Sequence, residues 1–175
     1  MTVLALAVVL LWIVMILNVA LTLALARRLR ALSGRVAPML PEPGLEPGDE
    51  APEFEAVTHD GQTVQRRSPG GGATVLGFFS STCHACPEHA PQFRALAERA
   101  PGGAQVVAVV DGSPAEAERL LGLLDGVPTV VGPWSPEGIT ARYRVSAFPS
   151  FLVAAPDGRV VATGGSTAEV VPAVA

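Results

Sequence analysis

From Val3 to Ala26 the chain runs 24 residues without a single charge. A helix of that length reaches about 36 Å, enough to cross the hydrocarbon core of a bilayer with some tilt. Leu, Val, Ala and Ile dominate the run, and Asn18 is its one strongly polar side chain. A helix satisfies its own backbone hydrogen bonds in lipid, so such a segment spans without help. Ala24-Leu25-Ala26 resembles a signal cleavage site, but no basic region precedes the run, and the run is longer than a usual signal core. Residues 1–32 therefore read as an uncleaved, single-pass anchor in the cytoplasmic membrane, touching lipid through residues 3–26.

The charges split at the same place. All 12 basic residues are Arg, and Arg27, Arg28, Arg30 and Arg35 crowd the end of the apolar run. Counting positive charge puts that flank, and everything after it, in the cytoplasm. Beyond it, eight Arg face 16 acids, a net of −8. A domain this acidic with no basic stripe excludes a nucleic-acid binder. Two cysteines in total exclude both a disulfide-stapled scaffold and a four-cysteine zinc module.

Residues 33–52 carry Pro38, Pro41, Pro43, Pro47 and Pro52 with Gly34, Gly44 and Gly48 among them, which reads as an extended, acidic spacer. Residues 53–175 then alternate strand and helix patterns. Phe54–Val57 and Gln62–Gln65 flank the turn His59-Asp60-Gly61. Ala73–Phe79, Gln105–Val110 and Val127–Val131 are apolar, β-rich runs, and Ser150–Ala154 and Val160–Thr163 pair across Pro156-Asp157-Gly158. Helical patterns cover Cys83–Arg99, Pro114–Leu124 (with Ser113 as N-cap) and Ser135–Arg144. This alternation predicts an α/β fold, a central mixed sheet flanked by helices.

Cys83 and Cys86 sit three apart where an apolar strand ends and a helix begins. The nucleophile of disulfide exchange is the thiolate, and the free N–H groups and dipole of a helix start lower a thiol's pKa. Cys83 is expected to attack and Cys86 to resolve the mixed disulfide. His84, protonated beside the thiolate, is expected to stabilise the reduced form. A metal site built from Cys83, Cys86 and one of His84, His89 or His59 is the rival, but zinc wants four ligands and these histidines are scattered. Covalent haem needs His directly after the second cysteine, where Pro87 stands. His59 and His89 read as ordinary surface or loop histidines, and no metal ligand or cofactor is assigned.

Pro47-Gly48-Asp49-Glu50-Ala51-Pro52-Glu53-Phe54 with His59-Asp60-Gly61-Gln62 resembles the opening of the TlpA/redoxin branch of the thioredoxin-like superfamily. Phe78-Phe79-Ser80-Ser81-Thr82-Cys83-His84-Ala85-Cys86 resembles its active-site strand and helix, with Pro91 at the position of the proline that kinks that helix. Tyr143 through Val153 resembles the segment carrying the family's cis-proline, which falls on Pro149, and Pro156–Val160 its closing hairpin. The leading segment, from Leu11-Trp12 to Arg35-Val36-Ala37-Pro38, is similar to the anchor of MauD-like proteins, which assist maturation of methylamine dehydrogenase.

The resemblance implies a membrane-anchored thiol–disulfide oxidoreductase, with Phe148 and Pro149 beside Cys83 on the surface that meets an extended substrate. It also implies exported, cysteine-containing substrates, a membrane or extracytoplasmic thiol electron donor, and a domain outside the cytoplasm, against the positive-charge count. The alternatives are an extracytoplasmic copper or other metal chaperone, or a maturation accessory protein, using the same two cysteines; copper(I) suits soft thiolates. A peroxide reductase lacks its expected motif around the reactive cysteine. The sequence departs from the family pattern in three ways. Thr82 stands where Trp is usual, Gly77 where thioredoxins keep a buried Asp, and His84-Ala85 contains no proline.

Overall fold

The structure, a computed structural model, describes residues 44–174 apart from 102 and 134, together with Leu11, Trp12, Met15 and Asn18, which are helical. The expected span Val3–Ala26, those four positions apart, lies outside the described residues, as do the arginine cluster and the spacer up to residue 43. No helix among the described residues is long and apolar enough to cross a membrane.

Among the described residues from 44 onward, seven strands and four α-helices follow in the order that hydrophobic patterning sets out. They are β1 (Glu55–Val57), β2 (Thr63–Gln65), β3 (Thr74–Ser80), α1 (Cys86–Arg99), β4 (Gln105–Asp111), α2 (Pro114–Leu123) and β5 (Thr129–Gly132). Then come α3 (Ile139–Arg142), β6 (Ser150–Ala154), β7 (Val160–Gly164) and α4 (Thr167–Val170). β1 and β2 form a separate antiparallel hairpin. The other five strands make one mixed sheet in the order β5-β4-β3-β6-β7, with β3, β4 and β5 parallel and β6 and β7 antiparallel to their neighbours. The expected α/β architecture is the one that forms.

β3 lies at the centre, and all seven of its residues are buried. A strand presents successive side chains to opposite faces, and β3 feeds two cores accordingly. Val75 and Phe79 join a cluster with Cys86, Ala90, Phe93 and Leu96 of α1 and Ala117 and Leu120 of α2. Leu76 and Phe78 join Phe54, Val64 and Tyr143 on the other face. Each Val, Leu or Phe among them stabilises the fold by roughly 1.5–3 kcal/mol when fully buried. Three rings on the first face, Phe79, Phe93 and Phe151, lie 5.6–5.7 Å apart between centroids.

Residues 44–52 do not hang free. Ala51 is buried, the Gly48 N–H donates to Val160 O at 2.8 Å, and the Val160 N–H donates to Asp49 O at 2.9 Å. The Tyr143 hydroxyl donates to Pro52 O at 2.7 Å, and burial raises its pKa far above the ordinary phenol range. Proline and glycine mark that stretch as non-helical, but its contacts with β7 and α3 are long-range and leave no local pattern.

Helix ends also differ from expectation. α1 starts at Cys86 rather than Cys83, because the Cys83 N–H is taken by Ser80 O at 3.1 Å in a turn. α3 is reduced to Ile139–Arg142, since Ser135 and Gly138 close a turn ahead of it. α2 is held by a complete capping box between Ser113 and Glu116.

Candidate active site

The end of β3 delivers the chain to the loop Ser81–Ala85, and α1 carries it away. The loop is pinned from the neighbouring strand, where the Ser81 N–H donates to Asp111 O at 2.9 Å. Gly112 follows with φ +148°, and a side chain there would collide with Ser81. Only glycine lets the two segments approach so closely.

Cys83 and Cys86 form a disulfide, their Cα atoms 5.4 Å apart. Their exposures differ sharply. Cys83 is half-buried, and Cys86 is fully enclosed in the core against α1 and β3. The Cys86 N–H donates to Cys83 Sγ at 3.1 Å. That N–H is one of the unpaired donors at the start of α1, whose N-cap residue, Ala85, has no capping side chain. The sulfur of Cys83 thus does the work of a cap. On reduction the same donor and the helix dipole favour the thiolate of Cys83.

On its other side Cys83 Sγ lies 3.4 Å from Phe148 O. In the disulfide this is a contact, because the sulfur carries no hydrogen; a thiol there donates to the carbonyl. The Phe148–Pro149 peptide bond is cis. Phe148 is half-buried and packs against both hydrophobic clusters.

The structure brings Cys83, Cys86, Phe148 and Pro149 together. His84 is exposed, and no hydrogen bond or ion pair joins its ring to Cys83 among the described residues. His59 lies beside the edge strand β5, its Nδ1 3.3 Å from Thr129 O. Among the described residues no three His, Cys, Asp or Glu side chains converge as a metal site would require. His89, read from sequence as an ordinary surface or loop histidine, instead lies on α1 with its Nδ1 shielded and unpartnered. Its three-residue spacing from Cys86 was the available signal. The missing acid at Gly77 has a steric cause: a Cβ there would lie 2.7 Å from Cε2 and Cζ of Phe93.

Comparison with known proteins agrees with this geometry. Residues 47–161 match the AhpC/TSA family. The chain is 34% identical over 163 residues to the methylamine utilization protein MauD of Methylobacillus flagellatus, covering 89% of this chain and 77% of the relative. In fold it is similar to the thioredoxin domain of a thiol-disulfide oxidoreductase from Bacteroides vulgatus, at TM-score 0.61 and 16% identity over 74% of this chain and 96% of that one. It is likewise similar to a secreted Mycobacterium tuberculosis disulfide oxidoreductase homologous to E. coli DsbE, at TM-score 0.54 and 22% identity over 65% of this chain and 83% of that one. With its dithiol at the strand–helix junction and its cis-proline alongside, this chain belongs to the thioredoxin-like AhpC/TSA family, in the company of the MauD proteins, and is a thiol–disulfide oxidoreductase.

Proposed function

We propose that the chain is a membrane-anchored oxidoreductase that edits disulfides of exported proteins through Cys83 and Cys86. The observation that carries this reading is the asymmetry of the pair. Cys83 is reachable and holds its sulfur against a helix-start N–H, while Cys86 is enclosed. An attacking thiol needs access and a stabilised thiolate; a resolving thiol needs only to reach its partner.

In the reducing direction the Cys83 thiolate attacks a substrate disulfide and displaces one substrate thiol. Cys86 then attacks Cys83, releases the second substrate thiol and leaves the Cys83–Cys86 disulfide. Two electrons have passed to the substrate, and a membrane or extracytoplasmic thiol donor restores the dithiol. Phe148 and Pro149 form the docking edge beside Cys83. Residues 1–32 serve as the anchor and the stretch from residue 33 as the spacer, up to residues 44–52, which are bonded to the catalytic domain on the extracytoplasmic side. The relatives' link to methylamine utilization makes maturation of an enzyme of that process one instance of the same exchange.

Cys83→Ser and Cys86→Ser test the roles. Insulin reduction should fall to background in Cys83→Ser, and Cys86→Ser should accumulate mixed disulfides with substrate, visible on non-reducing gels. Retention of activity in both variants would exclude the reading. Stoichiometric copper(I) binding by a reduced protein unable to reduce insulin would favour a metal chaperone.

A further inference from the structure

A buried thiol attacks only after it has lost its proton. Cys86 is 0% exposed, and such burial disfavours the thiolate. Resolution therefore needs a base within reach of an otherwise dry neighbourhood. β3 and β6, beneath α1, carry no titratable side chain. On α2, Glu118 and Arg119 are exposed and Glu116 is engaged with Ser113. On α4 the Glu169 carboxylate is held by Gly165 and Ser166. On α1 itself Glu88 is exposed and Arg94 pairs with Glu98. At position 77, on the face under Phe93, there is no side chain at all.

His89 remains. It follows Cys86 by three residues on the same helix, a spacing that makes two side chains neighbours. The residue is half-buried, its ring centroid is 6.2 Å from that of Phe151, and its Nδ1 is shielded from solvent without a hydrogen-bond partner. A shielded ring nitrogen without a partner calls for an explanation. The ring also bridges two environments, with one nitrogen inside and part of its surface still exposed.

We propose that His89 is the proton acceptor for Cys86 in the resolving step, directly or through one water. This rests on the oxidoreductase reading above. The Cys86 S–H gives its proton to Nδ1 as its sulfur attacks Cys83 Sγ. The Cys83–Cys86 bond forms, and the bond between Cys83 and the substrate sulfur breaks. The electron pair leaves with the substrate sulfur, which takes a proton from water, and the imidazolium returns its proton to solvent.

Ellman's reagent separates the two chemical steps on the full-length reduced protein in detergent. Its first phase reports attack by Cys83, and its second reports displacement of the bound aryl thiol by Cys86. His89→Gln and His89→Leu should leave the first phase within about twofold and slow the second by about 10²-fold at pH 7, the scale of a lost general base. The pH profile of the second phase should lose its imidazole inflection. Added imidazole should restore part of the rate in His89→Ala. An unchanged second phase in His89→Gln overturns the assignment, as does uniform slowing at every pH with no rescue, which would mark a packing role. Should His89→Leu lose the first phase through misfolding, His89→Gln and the rescue decide. A wild-type protein with no first phase would overturn the oxidoreductase reading, and this assignment with it.

Discussion

The ring of Phe93 occupies the volume above Gly77 on the central strand, so closely that a Cβ at position 77 would stand 2.7 Å from its Cε2 and Cζ atoms. Phe93 in turn packs edge-on against Phe79 at 5.6 Å between centroids. The core of this face is thus completed by an aromatic side chain reaching down from α1 rather than by a polar group rising from β3. A charged carboxylate at position 77 would need both the space and a partner, and this layer offers neither.

Gly77→Ala should destabilise the protein by about 1–3 kcal/mol, the usual cost of overpacking a filled core. Repeated in a Phe93→Leu background the same change should cost less, with a coupling of at least about 0.5 kcal/mol between neighbours in contact. Denaturant titration of the four proteins in the cycle measures this. Additive effects would mean that the ring does not confront position 77.

His84 is exposed beside the attacking sulfur, so its influence on Cys83 is screened by water. We propose that its charge favours the thiolate from solvent. His84→Ala should slow iodoacetamide alkylation of reduced Cys83 by about two- to fivefold at pH 6 and low salt, the scale of an exposed charge pair. The difference should shrink in 1 M salt.

Glu116 has its pKa lowered from the ordinary 4.5, first by the Ser113 hydroxyl and then by the Ser113 backbone N–H, both of which bond its carboxylate. A depressed carboxyl pKa contributes stability that is present above 4.5 and fades as pH falls through the folded-state value. Ser113→Ala should cost about 1 kcal/mol at pH 7 through loss of the N-cap hydroxyl. The gap between wild type and variant should narrow between pH 5 and pH 3, and the Glu116 titration followed by NMR should move back up toward 4.5. A gap independent of pH would show that the carboxylate takes no part in the cap.

Topology sets two physical expectations against each other. Four arginines after the apolar run put the domain in the cytoplasm by positive-charge counting. Disulfides, however, form and need editing outside it. We propose the extracytoplasmic side. Alkaline phosphatase fused after Ala175 should be active, and a cytoplasm-dependent reporter at the same place should be silent. The opposite pattern would remove exported proteins as substrates.

Patterns that act over a few residues were enough to place most of the molecule. Apolar runs bounded by Gly and Pro located β3, β4 and β6 within a residue or two, Ser113 with Pro114 located the start of α2, and the Cys83–Cys86 spacing at a strand–helix junction located the disulfide. Local sequence carries these because strand alternation, helix caps and turns are settled by near neighbours. Tertiary structure decided what depends on partners far along the chain. Residues 44–52 are tied to β7 and α3 because Val160, Arg159 and Tyr143 happen to meet them. α1 loses its first three expected residues to a turn held by Ser80. Phe93 reaches Gly77, and Phe148 reaches Cys83, across 16 and 65 positions of chain. The shielded Nδ1 of His89 follows from the same cause: burial is a property of the assembled core, and a histidine three residues after a cysteine carries no mark of it until the sheet and helices have closed around them.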